Sequence, residues 1–506
     1  MESNDAAKGT LQLTFTNTFQ YVIMAAFYIV VAKTNVLTPE DLGYLSIISF
    51  IASTLTLSLF NLPLAVTKFV SEKLGKKEYE KAASIFKTGK RLQIILNTVA
   101  LAIATLLSTT LSQYFWGNTE YSILIVLFCV EVFFINLISI YKSGLRALGL
   151  FSKMALSTIV YISVSRGIAI SLALVGFGIS GVIIGYIIGA FVGAIVSLSF
   201  VHGKFLNPET KFPVRPLILF SFPLFLSGLA SFIITQVDVV IIASMTSTYA
   251  TVGVYSIVAK SLLALNIVWQ PIMITIFPLI ASKFGLKEPE SVSNVIKTTS
   301  RYLSYTTIPC CLMLVVIAPT MLEVFYGQQY VSGASALAIL AVSTILFAFL
   351  TLFTTALAAI GKTNYVLRIN IISAFSSILL LIGLVPLFDL IGAASSRLIA
   401  YTLSLIVTIY IIRKFLKIKL DNEALWKSTV ASLMTTPFLF LLEFTLKEFS
   451  VIQVLVIELL SAGLIYVVSL YLLKALNSKD FDLLRQSFPK FFSKIIDMFQ
   501  RIMQRE

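Results

Sequence analysis

The sequence predicts an all-α polytopic membrane protein, and three observations support that prediction. Of its 506 residues, 58% are hydrophobic and only 12% are charged, too few to cover a water-facing surface. Apolar segments of about 20 residues, the length that crosses a bilayer core, recur along the whole chain. Basic residues are concentrated in alternate connections between these segments, as is typical of cytoplasmic loops.

Fourteen segments meet the length criterion for a transmembrane helix. The first is too long for the apolar core of a signal peptide and no small-residue cleavage site follows it, so we expect it to remain as the first span. Because fourteen is even, both termini are predicted on the same side. The predicted spans are residues 10–32, 43–67, 92–112, 122–141, 154–175, 179–201, 217–242, 251–281, 299–322, 333–360, 364–386, 392–412, 428–446 and 451–473.

The charge of the loops orients these spans. The loop after span three, QYFWGNTEY, has no lysine or arginine, whereas the loop after span two has eight: Lys68, Lys73, Lys76, Lys77, Lys81, Lys87, Lys90 and Arg91. Later loops repeat this alternation, so the positive-inside rule places both termini in the cytoplasm. The net charge of +14 is then explained by these loops, and no nucleic-acid partner is expected.

Groups suited to metal or covalent chemistry are scarce. The three cysteines, Cys129, Cys310 and Cys311, lie in apolar segments without metal-ligand spacing, and His202 is the single histidine. A membrane glycosyltransferase or oligosaccharide ligase would need a sizeable extramembrane loop or a cluster of carboxylates and histidines. We therefore predict no enzyme, no cofactor and no metal.

An internal repeat relates the two halves of the chain. A shift of 210 residues pairs loop with loop and glycine with glycine, without a gap. It aligns Thr38, Gly43, Ser46, Ile47, Leu55, Lys73, Gly75, Lys77 and Glu78 with Thr248, Gly253, Ser256, Ile257, Leu265, Lys283, Gly285, Lys287 and Glu288. Because six is even, spans one to six and seven to twelve have the same orientation, as in transporters built from two parallel repeats.

The repeat divides the chain into two six-helix lobes and an appendage of two spans. After the last span, apolar residues recur every three or four positions between lysines and arginines, which indicates an amphipathic helix on the inner membrane surface. The predicted units are the N-lobe (1–201), a cytoplasmic linker (202–216), the C-lobe (217–413), spans thirteen and fourteen (414–473) and the basic tail helix (474–506).

Several segments occur in an order that is found in a known family. After span one comes LTPEDLGYLSIISF, and after span two comes NLPLAVTKFVSEKLGKKEYEKAASIF. YKSGLRALGLFSKMAL joins spans four and five, and GFGISGVIIGY opens span six. Spans seven and eight contain SFPLFLSGLASFIITQVDVVIIASM and VGVYSIVAKSL. Over about residues 10–413 the chain resembles the polysaccharide transporters of the multidrug/oligosaccharidyl-lipid/polysaccharide superfamily.

This resemblance implies a flippase that moves a lipid-linked oligosaccharide across the cytoplasmic membrane by alternating access of two lobes. The partners it implies are the lipid-linked glycan, membrane lipids and glycan-assembly enzymes, and the expected state is a monomer. Flippases of lipid-linked peptidoglycan precursors have arginines in span one, where this chain has Thr16, Asn17 and Gln20. The resemblance therefore does not indicate that particular cargo.

Three basic residues lie inside predicted spans, namely Arg166, Lys260 and Arg397. At about 1.5 Å per residue, Lys260 and Arg166 both approach the midplane of the bilayer. A charge there costs at least about 2.5 to 3.5 kcal/mol, so each needs a wet cavity or a partner. We predict that the three residues bind the phosphate of an anionic cargo. Burial in ion pairs, for example between Arg166 and Glu131, is the alternative.

Polar and acidic residues complete the candidate site. Asn17 and Gln20 share one face of span one and are suited to binding sugar hydroxyls or to hydrogen bonding between helices. Glu131, deep in span four, and Asp238, near the outer end of span seven, are predicted to couple transport to an ion or proton gradient.

A cation-coupled multidrug or small-molecule exporter of the same fold is the alternative function. Its cavity should contain acidic groups that bind cationic drugs and coupling ions, whereas this chain places two deep bases in its spans and no acid in span one. A structural membrane scaffold would give no reason for Lys260.

Overall fold

The structure is a computed structural model that describes residues 2–56, 62–205, 212–246, 248–286, 288–416, 420–446 and 448–475. Within these ranges the chain is helical and contains no β-strand. Eleven of the helical stretches described are long and apolar enough to cross a membrane. The predicted all-α polytopic class is confirmed, whereas the count of fourteen spans stays a prediction. The predicted tail helix lies almost entirely outside the described residues.

The N-lobe comprises the region of predicted spans one to six. Its helices are α1 (Glu2–Lys33), α2 (Pro39–Leu55), α3 (Leu62–Gly75), α4 (Tyr79–Trp116), α5 (Ser122–Ala147), α6 (Phe151–Leu172) and α7 (Gly178–Val201). Helix α4 begins well before residue 92, the predicted start of span three, because hydropathy identifies only the part of a helix that lies in lipid. A π-helical turn, Ala173–Phe177, joins α6 to α7.

The C-lobe comprises predicted spans seven to twelve. Its helices are α8 (Val214–Met245), α9 (Tyr249–Ser261), α10 (Leu263–Gly285), α11 (Pro289–Phe325), α12 (Ala334–Ala359) and α13 (Thr363–Ile412). Helix α13 contains both span eleven and span twelve, which meet at a sharp break at Asp389 (φ 46°, ψ −123°). A non-glycine residue rarely adopts this backbone conformation, so hydropathy placed the boundary correctly even though helical hydrogen bonding continues on both sides.

The remaining two helices, α14 (Asn422–Thr445) and α15 (Val451–Leu472), are bound to the C-lobe. The Ser428 hydroxyl donates to the carbonyl oxygen of Ser304 on α11 (2.6 Å). The Tyr466 hydroxyl donates to the Tyr305 carbonyl of the same helix (3.1 Å). These bonds fix the appendage to α11, so we expect it to move with the C-lobe.

Two loops that the repeat aligns, both predicted to be cytoplasmic, have the same geometry. Lys73 forms an ion pair with Glu78 at 3.2 Å, and the aligned Lys283 forms one with Glu288 at 3.2 Å. The backbone N–H of each glutamate also donates to the carbonyl of its lysine. Hydrogen bonds from Lys81 and Lys73 lower the pKa of the Glu78 carboxyl from its usual value. The 210-residue repeat is therefore a structural relationship as well as an alignment.

Predicted spans two and eight each contain a helix end. Helix α2 ends at Leu55 and α3 begins at Leu62, while α9 and α10 meet at Leu262. Interrupted helices expose backbone groups near the membrane midplane and are typical of transporter binding sites. The break at Leu262 lies beside the space between the lobes.

Candidate substrate cavity between the lobes

A cavity of about 250 Å³ lies between the two lobes. The N-lobe contributes side chains from α1, α2, α5 and α7, and the C-lobe from α8, α9, α10, α12 and α13. Three charged residues of the described chain line it: Asp238, Lys260 and Arg397. Two of the three bases predicted from the cost of burying charge thus meet in one cavity.

Lys260 enters the cavity from the last turn of α9. The unpaired carbonyl groups at a helix C-terminus favour a positive charge there, which offsets part of the cost of burying this lysine. Its Nζ lies 5.9 Å from the ring centroid of Tyr28, another cavity residue. No carboxylate of the described residues lies within 4 Å of Nζ, so the ammonium group can bind an anionic ligand.

Arg397 forms an ion pair with Asp238 across α13 and α8. The Tyr255 hydroxyl also donates to this carboxylate (2.7 Å), as does the backbone N–H of Val239 (3.0 Å). Asp238 is only 3% exposed. Arg397 therefore holds a buried carboxylate in place, and its charge is largely neutralised in this conformation.

Arg166 lies behind the cavity wall, in the N-lobe. Its guanidinium carbon is 3.7 Å from the ring centroid of Tyr186 and 5.3 Å from that of Phe27, and Tyr186 lines the cavity. Its Nε and Nη1 atoms are buried without a hydrogen-bond partner among the described residues. Cation–π contacts of this kind stabilise a desolvated guanidinium. One aromatic side chain separates Arg166 from the cavity.

Close packing of α6 against α7 fixes this arginine. A Cβ atom on Gly189 would lie 2.3 Å from the Cα of Ser165, and one on Gly185 would lie 2.4 Å from the backbone nitrogen of Ala169. Small residues allow such backbone contact between membrane helices. The position of Arg166 next to Tyr186 is therefore set by the glycines of α7.

Glu131 is buried beside Arg166 without a close ion pair. It is 3% exposed, and the Tyr161 hydroxyl donates to its Oε1 at 3.5 Å. In the part of the chain that the structure describes, no Arg166 nitrogen approaches the carboxylate within 4 Å. Glu131 and Arg166 are thus neighbours across α5 and α6 rather than a direct pair.

The two polar residues of span one lie elsewhere. Asn17 and Gln20 are half-buried on α1, and neither is among the residues that line the cavity. Sequence reasoning also missed three tyrosines that contact the charged groups: Tyr28, Tyr186 and Tyr255. Their signal was an amphipathic ring in an apolar span, which usually finds a polar partner when it is buried.

Two pseudo-equivalent lobes around a charged central cavity define a membrane transporter. The polysaccharide biosynthesis protein family matches residues 6–284, more than half of the chain, and the protein belongs to that family. Over 214 residues it is 22% identical to the probable low-salt glycan biosynthesis flippase Agl15 of Haloferax volcanii. That match covers 42% of this chain and 45% of the relative, so less than half of the curated relative's length is matched.

Solved structures of transporters share the fold. The lipid II flippase MurJ in an inward closed conformation superimposes with a TM-score of 0.71 at 16% identity, covering 90% of this chain and 97% of that one. For the multidrug transporter DinF-BH the TM-score is 0.62 at 17% identity, covering 83% and 96%. A superfamily transporter from Pyrococcus furiosus, described as having a binding pocket of reverse polarity, gives 0.56 at 14%, covering 80% and 95%. Family and fold are those of a transporter and not of an enzyme.

Proposed function

We propose that this protein is a flippase that moves a lipid-linked oligosaccharide or polysaccharide precursor across the cytoplasmic membrane by alternating access. The single observation that supports this most strongly is the charge of the interlobe cavity. Lys260 and Arg397 contribute two positive charges and Asp238 one negative charge, which leaves one positive charge in the wall. A phosphate group crossing a low-dielectric region needs such a fixed cation to offset its lost hydration.

The charged residues have different roles in this proposal. Lys260, which has no carboxylate partner within the described residues, binds the phosphate directly. Arg397 adds a second donor when the cargo competes with Asp238 for it. Arg166 contributes its positive potential through Tyr186. Such a division suits a diphosphate, whose charge exceeds what a single lysine neutralises.

The size of the cavity supports alternating access. At about 250 Å³ it is smaller than the pockets of about 300 to 1,000 Å³ that enclose drug-sized ligands. It has room for a phosphate head group but not for a whole oligosaccharide. The lobes must therefore separate to load the cargo, and Asn17 and Gln20 of α1 are then available to bind sugar hydroxyls.

Coupling to a gradient is assigned to Glu131 in this proposal. A buried carboxylate without a close ion pair is costly when ionised. It should therefore be ionised when the lobes expose it to water and neutral when they bury it. Asp238 is held by Arg397, Tyr255 and a backbone N–H, so its first role is to be the counter-ion of Arg397. The same pairing removes it as a free acid for a cationic drug, which favours a flippase over an exporter.

Transport in proteoliposomes tests the proposal. The purified protein is reconstituted with a lipid diphosphate-linked oligosaccharide whose sugar is fluorescent, and flipping is measured as loss of access to a membrane-impermeant quencher. We expect flipping to exceed that of protein-free vesicles and to be competed by excess unlabelled lipid-linked glycan. Flipping at the protein-free rate, together with export of a cationic dye, would instead support the exporter.

The proposed orientation is tested by cysteine labelling in cells. In a background in which Cys129, Cys310 and Cys311 are replaced by serine, a cysteine at Asn118 should react with a membrane-impermeant maleimide added from outside. A cysteine at Lys77 should react only after the membrane is permeabilised. The physical reason is the concentration of basic residues in the loop around Lys77. The reverse pattern would show that the termini lie outside.

A further inference from the structure

Helices α2 and α9, which the repeat aligns, cross each other and join the two lobes. The crossing lies at the ends of these helices that are predicted to face the outside. Gly43 of α2 and Gly253 of α9 lie at the crossing. A Cβ atom on Gly43 would lie 2.1 Å from the carbonyl oxygen of Tyr249, and one on Gly253 would lie 1.6 Å from that of Pro39. No larger residue fits at either position without separating the helices. The crossing is therefore a direct backbone contact that depends on two glycines.

One helical turn further into the membrane, the same helices form a side-chain contact. The Oγ atoms of Ser46 and Ser256 lie 2.5 Å apart. Both serines line the outer part of the central cavity, and Lys260 follows Ser256 by one turn of α9. The glycine and serine contacts together thus close the cavity above its lysine.

Each residue of this crossing touches its own repeat equivalent. The 210-residue shift that aligns the lobes pairs Gly43 with Gly253 and Ser46 with Ser256. When equivalent residues of two related units contact each other, the contact lies on the two-fold axis that relates the units and is self-complementary. The pseudo-two-fold axis of the lobes therefore passes through this contact, directly over the cavity.

Other contacts join the lobes on the same side. The Tyr249 hydroxyl donates to the carbonyl of Phe115. The ring of Tyr249 also packs against that of Tyr44, with centroids 4.9 Å apart. The amide of Gln329 donates to the side-chain oxygen of Asn35 at 2.7 Å. These contacts are short-range and contain no ion pair, so modest tilting of the lobes breaks them together.

We propose that Gly43, Ser46, Gly253 and Ser256 form the outer gate of the transporter. In this structure the gate is closed. When the lobes tilt apart, α2 and α9 separate at the pseudo-two-fold axis and the cargo is released outside. This inference rests on the proposed alternating access. Because the contact is symmetric, substitution at either glycine has the same effect, which distinguishes a gate from ordinary helix packing in one lobe.

A large side chain placed at the crossing of α2 and α9 tests the gate without any cargo. A reporter cysteine replaces Asn266, a cavity residue, in protein whose three native cysteines are removed. Gly43→Leu and Gly253→Leu should each raise its labelling by an impermeant maleimide from outside, roughly tenfold. The matched control is Gly167→Leu, which should leave labelling unchanged because a Cβ atom on Gly167 would have no atom within 4 Å. Unchanged labelling in either of the two leucine variants would overturn the gate.

A cross-link tests the same contact without a large side chain, in case the leucine variants do not fold. Ser46→Cys and Ser256→Cys are combined in the background without native cysteines, and the disulfide is detected by mass spectrometry of peptides. Oxidation should form the cross-link and abolish transport of the lipid-linked glycan, and a reductant should restore it. Each single-cysteine variant should be indifferent to the oxidant. Full transport by the cross-linked protein, or no cross-link at all, would refute the proposal.

The two experiments separate the gate from the cargo. If the parent protein does not move lipid-linked glycan, the proposed function fails. The labelling of the cysteine at Asn266 still reports whether the outer contact opens, because that measurement needs no substrate.

Discussion

Replacing Lys260 by alanine should lower the rate of glycan flipping by about 10- to 150-fold. A hydrogen bond between charged groups contributes about 1.5 to 3 kcal/mol, and each 1.36 kcal/mol corresponds to a factor of ten in rate. Lys260→Arg keeps the charge at the end of α9 and should retain most of the transport. The measurement is the initial rate in proteoliposomes at several concentrations of an acidic lipid-linked glycan.

The control for this variant is a lysine far from the cavity. Lys153, at the predicted cytoplasmic end of α6, lies near the ring of Phe200, and Lys153→Ala should transport as the parent protein does. If Lys260→Ala also transports at the parental rate, the cavity does not bind the phosphate through this residue. Unfolding of Lys260→Ala is not expected, because the substitution removes a half-buried charge without leaving a carboxylate unpaired.

The other two bases give less direct tests. Arg397→Ala leaves Asp238 as an uncompensated buried charge, which costs about 3 to 5 kcal/mol of stability, so loss of transport has two causes. Combining it with Asp238→Asn removes both charges and isolates the effect on transport. Arg166→Ala should lower transport less than Lys260→Ala does, because Tyr186 stands between the guanidinium and the cavity.

The sequence is sufficient for the fold class and for three residues that line the cavity, Asp238, Lys260 and Arg397. The membrane requires the same apolar length and imposes the same bias in loop charge on every span. Hydropathy and loop charge therefore indicate the fold class without any knowledge of packing. The cost of a buried charge likewise identifies Lys260 and Arg397 without any knowledge of packing. The partner of Arg397 was not predictable, because Asp238 lies 159 residues earlier in the chain. No periodicity along the sequence relates residues on helices that meet only in the folded lobe.

The internal repeat also shows that the sequence does not predict which residues come into contact. Alignment establishes that Gly43 corresponds to Gly253 and Ser46 to Ser256, but equivalence does not imply proximity. Lys73 and Lys283 are equally equivalent, and each forms its ion pair within its own lobe. Contact between equivalent residues arises only where the axis that relates the lobes passes, and the position of that axis depends on packing of the whole helix bundle.

Replacing Glu131 by glutamine should abolish the response of transport to an imposed proton or sodium gradient. The carboxylate is buried and receives one long hydrogen bond from Tyr161, so it is poorly stabilised when ionised. A group of this kind binds a proton or a cation in one state of the lobes and releases it in the other. Glutamine keeps the size and the hydrogen bond but cannot change its charge. Binding of lipid-linked glycan should remain close to that of the parent protein, because Glu131 does not line the cavity.

The measurement compares initial flipping rates in proteoliposomes with and without each gradient, alongside equilibrium binding of the glycan. Glu120→Gln is the matched control, because Glu120 lies exposed in the loop between α4 and α5 and should leave both quantities unchanged. Suppose instead that the Glu131→Gln protein responds to the gradients as the parent does. Glu131 would then serve only to balance the charge of Arg166 within the N-lobe, and the driving force would lie at another residue or in removal of the flipped cargo outside.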